Sequence, residues 1–347
     1  MKLGEVMRKG VSIYVQLPKV AFEKSKLLSN AQYKDLLLAK DLHEFIAKLK
    51  NMGYEELGFQ EKASLELIDF GLKEKLITVL HKIIRNSPID FQRFFVVYLL
   101  KFEIENIKLL VKSIYKKLGN EEIKLHESVE QLLGRIATFK EASAATDLTA
   151  LITILQKLPY GNLIREAFTT FERENYSFFY FDLFLDLKYL EELWSTHQKL
   201  NRSNRRIARE FIGLETDCYN LEVVLRARNL KMDPPLIYKM ISSKNYHLNK
   251  QFLEELMKDN LTYERLAQTF SLGDKISNLD AQSVPQICKS IRLKLVRSLY
   301  ARSMFSIAKS LAFLINKELE MENLRIISVG IYYKKPIEEI SKKLYIV

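Results

Sequence analysis

KELEMENLRII, residues 317–327, places Glu320 three residues before Asn323 and follows the amide with Leu324, Ile326 and Ile327. On a helix, positions four before, three after and four after a residue lie within about 60° of it. Asn323 therefore sits among Leu319, Ile326 and Ile327. A buried amide without partners costs about 1–3 kcal/mol, so the phrase predicts both a helix and a hydrogen-bonding partner for its centre.

The same phrase is written twice more. In KFEIENIKLLV, residues 101–111, Glu103 precedes Asn106, which sits among Phe102, Leu109 and Leu110. In LETDCYNLEVVLR, residues 214–226, Asp217 precedes Asn220, and Leu221, Val223 and Val224 follow. The three amides are 114 and 103 residues apart, which divides the chain into thirds.

A second marker recurs in step with the first. FIAKLKNMGYEEL, LITILQKLPYGNL and FLEELMKDNLTYERL each carry a tyrosine with Leu three residues on. Tyr54, Tyr160 and Tyr263 precede the matching Asn by 52, 60 and 60 residues. Two markers in one order, three times over, argue for internal triplication. Gly119 and Asn120 end the first copy, and Pro234 with Pro235 ends the second, as helix-stopping residues do. The expected domains are residues 1–122, 123–235 and 236–347, each a helical repeat. Recurrence on matching apolar faces favours a structural role over a catalytic one for Glu103, Asn106, Asp217, Asn220, Glu320 and Asn323. Each amide should fix the last helix of its unit by bonding a neighbouring helix end or its own acid.

Composition supports an all-α fold. The 347 residues are 48% hydrophobic, with 20 Phe and 17 Tyr to fill a core but only 11 Gly and 7 Pro, so helix formers dominate and long helices with short joints are expected. Cys218 and Cys288 lie far apart in sequence with no CxxC spacing, which gives neither a zinc knuckle nor a disulfide framework. Glu5, Arg8 and Lys9 interrupt the first apolar residues, unlike a secretory signal. The aromatic run FFYFDLFLDLKYLEELW, residues 178–194, is broken by Asp182, Asp186 and Lys188, and no run reaches the ~18 apolar residues of a spanning helix. The net charge of +11 favours contact with an acidic partner: nucleic acid, an anionic lipid surface or an acidic protein face.

Catalytic motifs are absent from the sequence. Gly53 and Gly58 have phosphate-loop spacing, but Phe59 and Gln60 stand where Lys and Ser or Thr would be needed. His126–Glu130 reads HExxE without a third ligand nearby, and is expected to be a solvated helix start. His43, His81, His197 and His247 occur without a nucleophile motif. No cofactor and no metal are expected. Arg202, Arg205, Arg206 and Arg209 in NRSNRRIARE follow i, i+3, i+4, i+7 spacing and form one stripe. That stripe is either a solvated face or a docking surface for acidic groups.

With the triplication established, the chain resembles the C subunit of archaeal and bacterial V-type (A-type) rotary ATPases, whose eukaryotic relative is the d subunit. The likeness runs through SKLLSNAQYKDLLLAKDLHEFIAKLKNMGYEEL, FEIENIKLLVKSIYKK, ETDCYNLEVVLRARN and the ending INKELEMENLRIISVGIYYKKPIEEISKKL. The resemblance implies three helical domains in a pseudo-threefold funnel with no catalytic site. It also implies a peripheral subunit at the cytoplasmic face of the membrane, one copy per complex. Its partners would be the central-stalk shaft and the membrane rotor ring, and nucleic acid would not be one. The rival reading is a basic helical-repeat adaptor that binds nucleic acid or an acidic protein.

Overall fold

A computed structural model describes residues 10–55, 63–117, 124–173, 177–258, 262–272 and 279–345. Gly58, Phe59 and Gln60, and the predicted joint at Gly119 and Asn120, lie outside them. The described residues form seventeen helices and no strand, so the chain is all-α. The prediction of long helices holds for five of 20–28 residues, yet many of the others have only 5–8. Such short helices are marginal alone and gain their order by packing on the long ones.

The helices group into two compact units. One contains the described residues from 10 to 89 and those from Leu293 onward. Here α1 (Ile13–Lys24), α2 (Asn30–Leu37), α3 (Leu42–Asn51) and α4 (Leu65–Arg85) pack around the late helix α16 (Ala308–Tyr332), on which α17 (Ile337–Ser341) folds back. Gln16 is buried on α1, and its side-chain amide donates to Ser87 Oγ at 2.6 Å and to Ser310 Oγ at 3.0 Å.

The other unit spans Asp90–Arg292. Its first part sets α5 (Ile89–Lys116) over the short helices α6 (Glu127–Leu132), α7 (Ile136–Ser143) and α8 (Leu148–Leu155). These continue into α9 (Gly161–Arg173) and α10 (Phe178–His197). Ile107, Val111, Leu151, Leu155, Ile164 and Phe171 share one apolar core. Its second part sets α11 (Arg202–Asn229) against α12 (Pro234–Met240) and α13 (Lys250–Met257), α14 (Tyr263–Phe270) follows, and α15 (Val284–Ala301) starts in this unit.

Two local features recur beside the predicted markers. The short helices α3, α8 and α13 are each capped at the N-terminus by a side-chain oxygen, from Asp41, Asp147 and Asn249. Those caps satisfy backbone N–H groups that the helix itself cannot, and they precede Tyr54, Tyr160 and Tyr263 by 13, 13 and 14 residues. At the other end, α5, α11 and α16 are followed by lysines with positive φ: Lys117 at 53°, Lys231 at 52° and Lys334 at 51°. Each stands 11 residues after its Asn. A left-handed residue at this place ends the helix and reverses the chain.

Candidate functional site

The chain reversal brings the following segment back over each long helix, where the amide receives it. Asn106 donates to the His126 carbonyl at 3.3 Å and accepts the His126 N–H at 3.0 Å. Asn220 makes the same pair with Ser242, both bonds 2.9 Å. Asn323 makes it with Tyr345, at 2.5 Å to the carbonyl and 2.9 Å from the N–H. Each side chain therefore imitates a peptide group and pins one residue 20, 22 or 22 positions downstream. In each case the partner is a returning backbone and not the acid of the same phrase, and for Asn106 it is the expected neighbouring helix end, since His126 is the N-cap of α6. All three amides are buried, although Leu109, expected beside Asn106, is exposed.

Two substitutions separate these locks. Asn220→Ala should lower stability by about 1–3 kcal/mol, because the buried Ser242 backbone loses both partners. Asn323→Ala should fall at the low end of that range, since water can reach the half-buried Tyr345. Equal losses in urea titrations of the two variants would show that the exposure of the pinned residue does not matter.

The three acids are solved differently. Glu103, fully buried, pairs with the guanidinium of Arg135, whose carbon stands 5.5 Å from the Tyr160 ring centre. Asp217 accepts backbone N–H groups from Tyr246 at 3.1 Å, His247 at 2.8 Å and Leu248 at 3.2 Å. Gly213, one turn earlier on α11, makes that approach possible: a Cβ there would lie 2.9 Å from Tyr246 Cβ. Burial pushes the Asp217 carboxyl up to about 6 against the pull of the three donors. Glu320 accepts the Leu28 N–H at 2.5 Å and the Tyr54 hydroxyl, and pairs with buried Lys317. The Lys317 ammonium also reaches the Tyr54 oxygen at 2.9 Å.

Two of the predicted tyrosines thus meet an acid of the neighbouring copy. Tyr160 of the second copy lies beside Glu103 of the first, and Tyr54 of the first bonds Glu320 of the third. Tyr263, the third, is buried at the start of α14, and Asp217 takes backbone donors in place of a phenol.

The HExxE segment is not a solvated helix start. His126 and Glu130 are 3% and 1% exposed, because Asn106 draws this segment into the core. Glu130 Oε1 accepts from Asn106 Nδ2 at 2.9 Å. Its Oε2 and Glu103 Oε1 receive no other donor, so a proton on Glu130 lets one carboxyl donate to the other. Burial, then the negative charge of Glu103, raises Glu130 to about 9. Cys218 and Cys288 are distant in sequence but their thiols are in hydrogen-bonding contact, both buried and both free.

Arg202, Arg205, Arg206 and Arg209 are all exposed on the first turns of α11. Arg205 is more than a solvated charge. Its Nη2 donates to the carbonyls of Gln198 at 2.8 Å and Leu200 at 3.1 Å, closing the end of α10. Arg209 stands 6.0 Å from the Trp194 ring centre.

The sequence pattern did not point to Arg135, Lys317 or Ser242, and it marked Glu130 only as the end of the HExxE phrase. Lys317 opens the quoted phrase at i−3 from Glu320 and could have been read as its partner. The lysine 11 residues past each Asn was equally visible. Arg135 carries no such signal, since only packing brings it to Glu103.

Comparison with known proteins identifies the family. The family described as ATP synthase (C/AC39) subunit matches residues 18–343. The C subunit of the A-type ATP synthase of Methanocaldococcus jannaschii is 24% identical over 94% of this chain and 84% of its own length. The protein of that name from Methanosarcina acetivorans is 26% identical over 93% and 90%, and that from Thermococcus kodakarensis 23% over 88% and 83%. With a single family model running through all three copies of the acid and amide phrase, this chain belongs to the ATP synthase (C/AC39) subunit family of rotary ATPases.

Proposed function

We propose that this chain is a non-catalytic central-stalk subunit of an A-type or V-type rotary ATPase. It would act as a socket that couples the rotor shaft to the membrane ion-translocating ring. The observation that carries the reading is the family match over residues 18–343, together with relatives named as the C subunit of A-type ATP synthase. The recurrent locks supply a physical rationale. An acid of the third copy joined to a tyrosine of the first links the two ends of the repeat series. The funnel of three domains about a pseudo-threefold axis remains what the family resemblance implies.

Torque transmission requires a coupling with little internal slack. Buried amides that pin the returning chain, close-packed apolar faces and few glycines serve that need. No helix among the described residues is long and apolar enough to cross a membrane, which suits a peripheral subunit at the cytoplasmic face, in one copy per rotor. Nucleotide turnover would belong to other subunits. The stripe at Arg202, Arg206 and Arg209 would hold carboxylates of a stalk or ring partner through two-pronged hydrogen bonds.

The test is affinity capture from native membranes in mild detergent, with partners identified by mass. Shaft and ring subunits should accompany the chain in a fixed ratio, and their absence would overturn the reading. Arg202→Glu with Arg206→Glu, leaving the α10-capping Arg205 in place, should preserve the fold and weaken the coupling of ATP turnover to ion transport. Unaltered assembly and transport would reduce the stripe to a solubility feature.

A further inference from the structure

Several large exposed apolar side chains of the unit containing α1 gather in one place. Tyr14, Val15, Pro18 and Phe22 fall within about 100° of arc on α1 at helical spacing. Tyr14 is 69% exposed and Phe22 61%. The segment between α15 and α16 adds Met304 and Phe305, 59% and 54% exposed, and the Phe305 ring stands 5.1 Å from that of Tyr14. Scattered exposed hydrophobics need no explanation, but a contiguous aromatic patch does.

Basic side chains predominate around this patch. Lys19, Lys24 and Lys26 flank the stripe and are exposed, with Arg302 beside Met304 and Phe305. Lys26 Nζ lies 4.1 Å from the Phe22 ring centre and Lys24 Nζ 3.9 Å from that of Tyr300. The single acid of α1, Glu23, stands next to Phe22 but is half-buried, and its charge is met by Lys26 at 3.2 Å and Lys82 at 3.6 Å. Apart from the Tyr14 hydroxyl, the stripe and its two neighbours offer no side-chain hydrogen-bonding group. What covers this surface must accept aromatic rings without polar readout and must be negatively charged around them.

We propose that the Tyr14–Phe22 face of α1, with Met304 and Phe305, is an interfacial anchor that inserts aromatic side chains into the headgroup region of an anionic phospholipid bilayer. Aromatic rings favour that zone, where one part meets acyl chains and another meets water. Lysines with long apolar stems can lie along the rings and raise their ammonium groups to lipid phosphates. An acidic protein face could supply the charge, but it would need a groove fitted to these rings. A bilayer needs no such complementarity, so it is the occupant the patch specifies. The inference rests on the peripheral membrane contact of the proposed function. It is separable from the assembly claim, because capture in detergent removes the bilayer while leaving the partner proteins to be counted.

Flotation of the purified full chain with vesicles tests it. At least tenfold more protein should float with vesicles containing phosphatidylglycerol than with phosphatidylcholine alone, and high salt should reduce the difference. The triple variant Tyr14→Ser, Phe22→Ser, Phe305→Ser should lose at least tenfold of that binding while keeping the helical circular dichroism spectrum. Should the triple variant fail to fold, Phe22→Trp reads the same contact through its emission, which should shift to the blue on anionic vesicles. No flotation, equal flotation of the folded triple variant, or an unshifted tryptophan would overturn the proposal. So would a dimer of the wild-type chain that the triple variant abolishes, since the patch would then cover itself with a second copy.

Discussion

Replacing Arg135 with Met should destabilise the unit that contains α5 by about 3–5 kcal/mol, the cost of leaving one buried charge without its partner. Glu103 is fully buried, and Arg135, itself 8% exposed, is the cation paired with it. After the substitution the carboxylate keeps no cationic donor while remaining surrounded by apolar side chains of α5 and the carboxyl of Glu130. A methionine occupies much of the arginine's volume, so the loss reports charge and not an empty cavity. The double variant Glu103→Gln, Arg135→Met should recover most of it, because removing both charges removes the uncompensated one. Chemical unfolding of the two variants decides the matter. A loss below about 1 kcal/mol in the single variant would mean that solvent reaches the pair and that the locks, not the charges, hold this core.

Glu130→Gln should make the protein more stable in mildly alkaline solution and remove part of its pH dependence. The folded carboxyl sits at about 9, well above its ordinary value of 4.5, so the native chain holds a proton that the unfolded chain releases. The contribution is fully present below about pH 4.5. It is lost as pH rises toward 9, by up to about 1.4 kcal/mol per pH unit. Glutamine copies the protonated acid at every pH, with its oxygen accepting from Asn106 and its amide donating to Glu103. Arg135 and Tyr160 also act on it. Asp217, raised to about 6, adds a similar slope at lower pH, so a window of about pH 6.5–8.5 isolates Glu130. Urea midpoints across that window should fall in the wild-type chain and stay nearly level in the variant. Parallel slopes would place the titrating group elsewhere.

The arginine stripe and the aromatic face of α1 show how differently two surface features can be read. The spacing of Arg202, Arg205, Arg206 and Arg209 was legible because i, i+3, i+4, i+7 is a property of any helix. That Arg205 closes the end of α10 was not, since it depends on where the preceding turn leaves the carbonyls of Gln198 and Leu200. On α1 the sequence shows Tyr14, Val15 and Phe22 as ordinary helical hydrophobics, and only the burial of Gln16 and Val20 on the other face leaves them outside.

Sequence alone determined the helical class and marked the three acids and amides that recur along the chain. Each follows from periodicity and repetition, which are local or self-comparing properties of a chain. The tertiary structure decided what those residues bond. Glu103 takes an arginine 32 positions away, Asp217 takes three backbone N–H groups, and Glu320 takes a lysine, a tyrosine and the N–H of Leu28 from 292 positions upstream. A buried carboxylate must be compensated, but the physical requirement specifies only positive charge or donors, not which ones. Whichever groups the packed neighbours bring within reach fulfil it, and that reach is set by how the chain returns after each long helix.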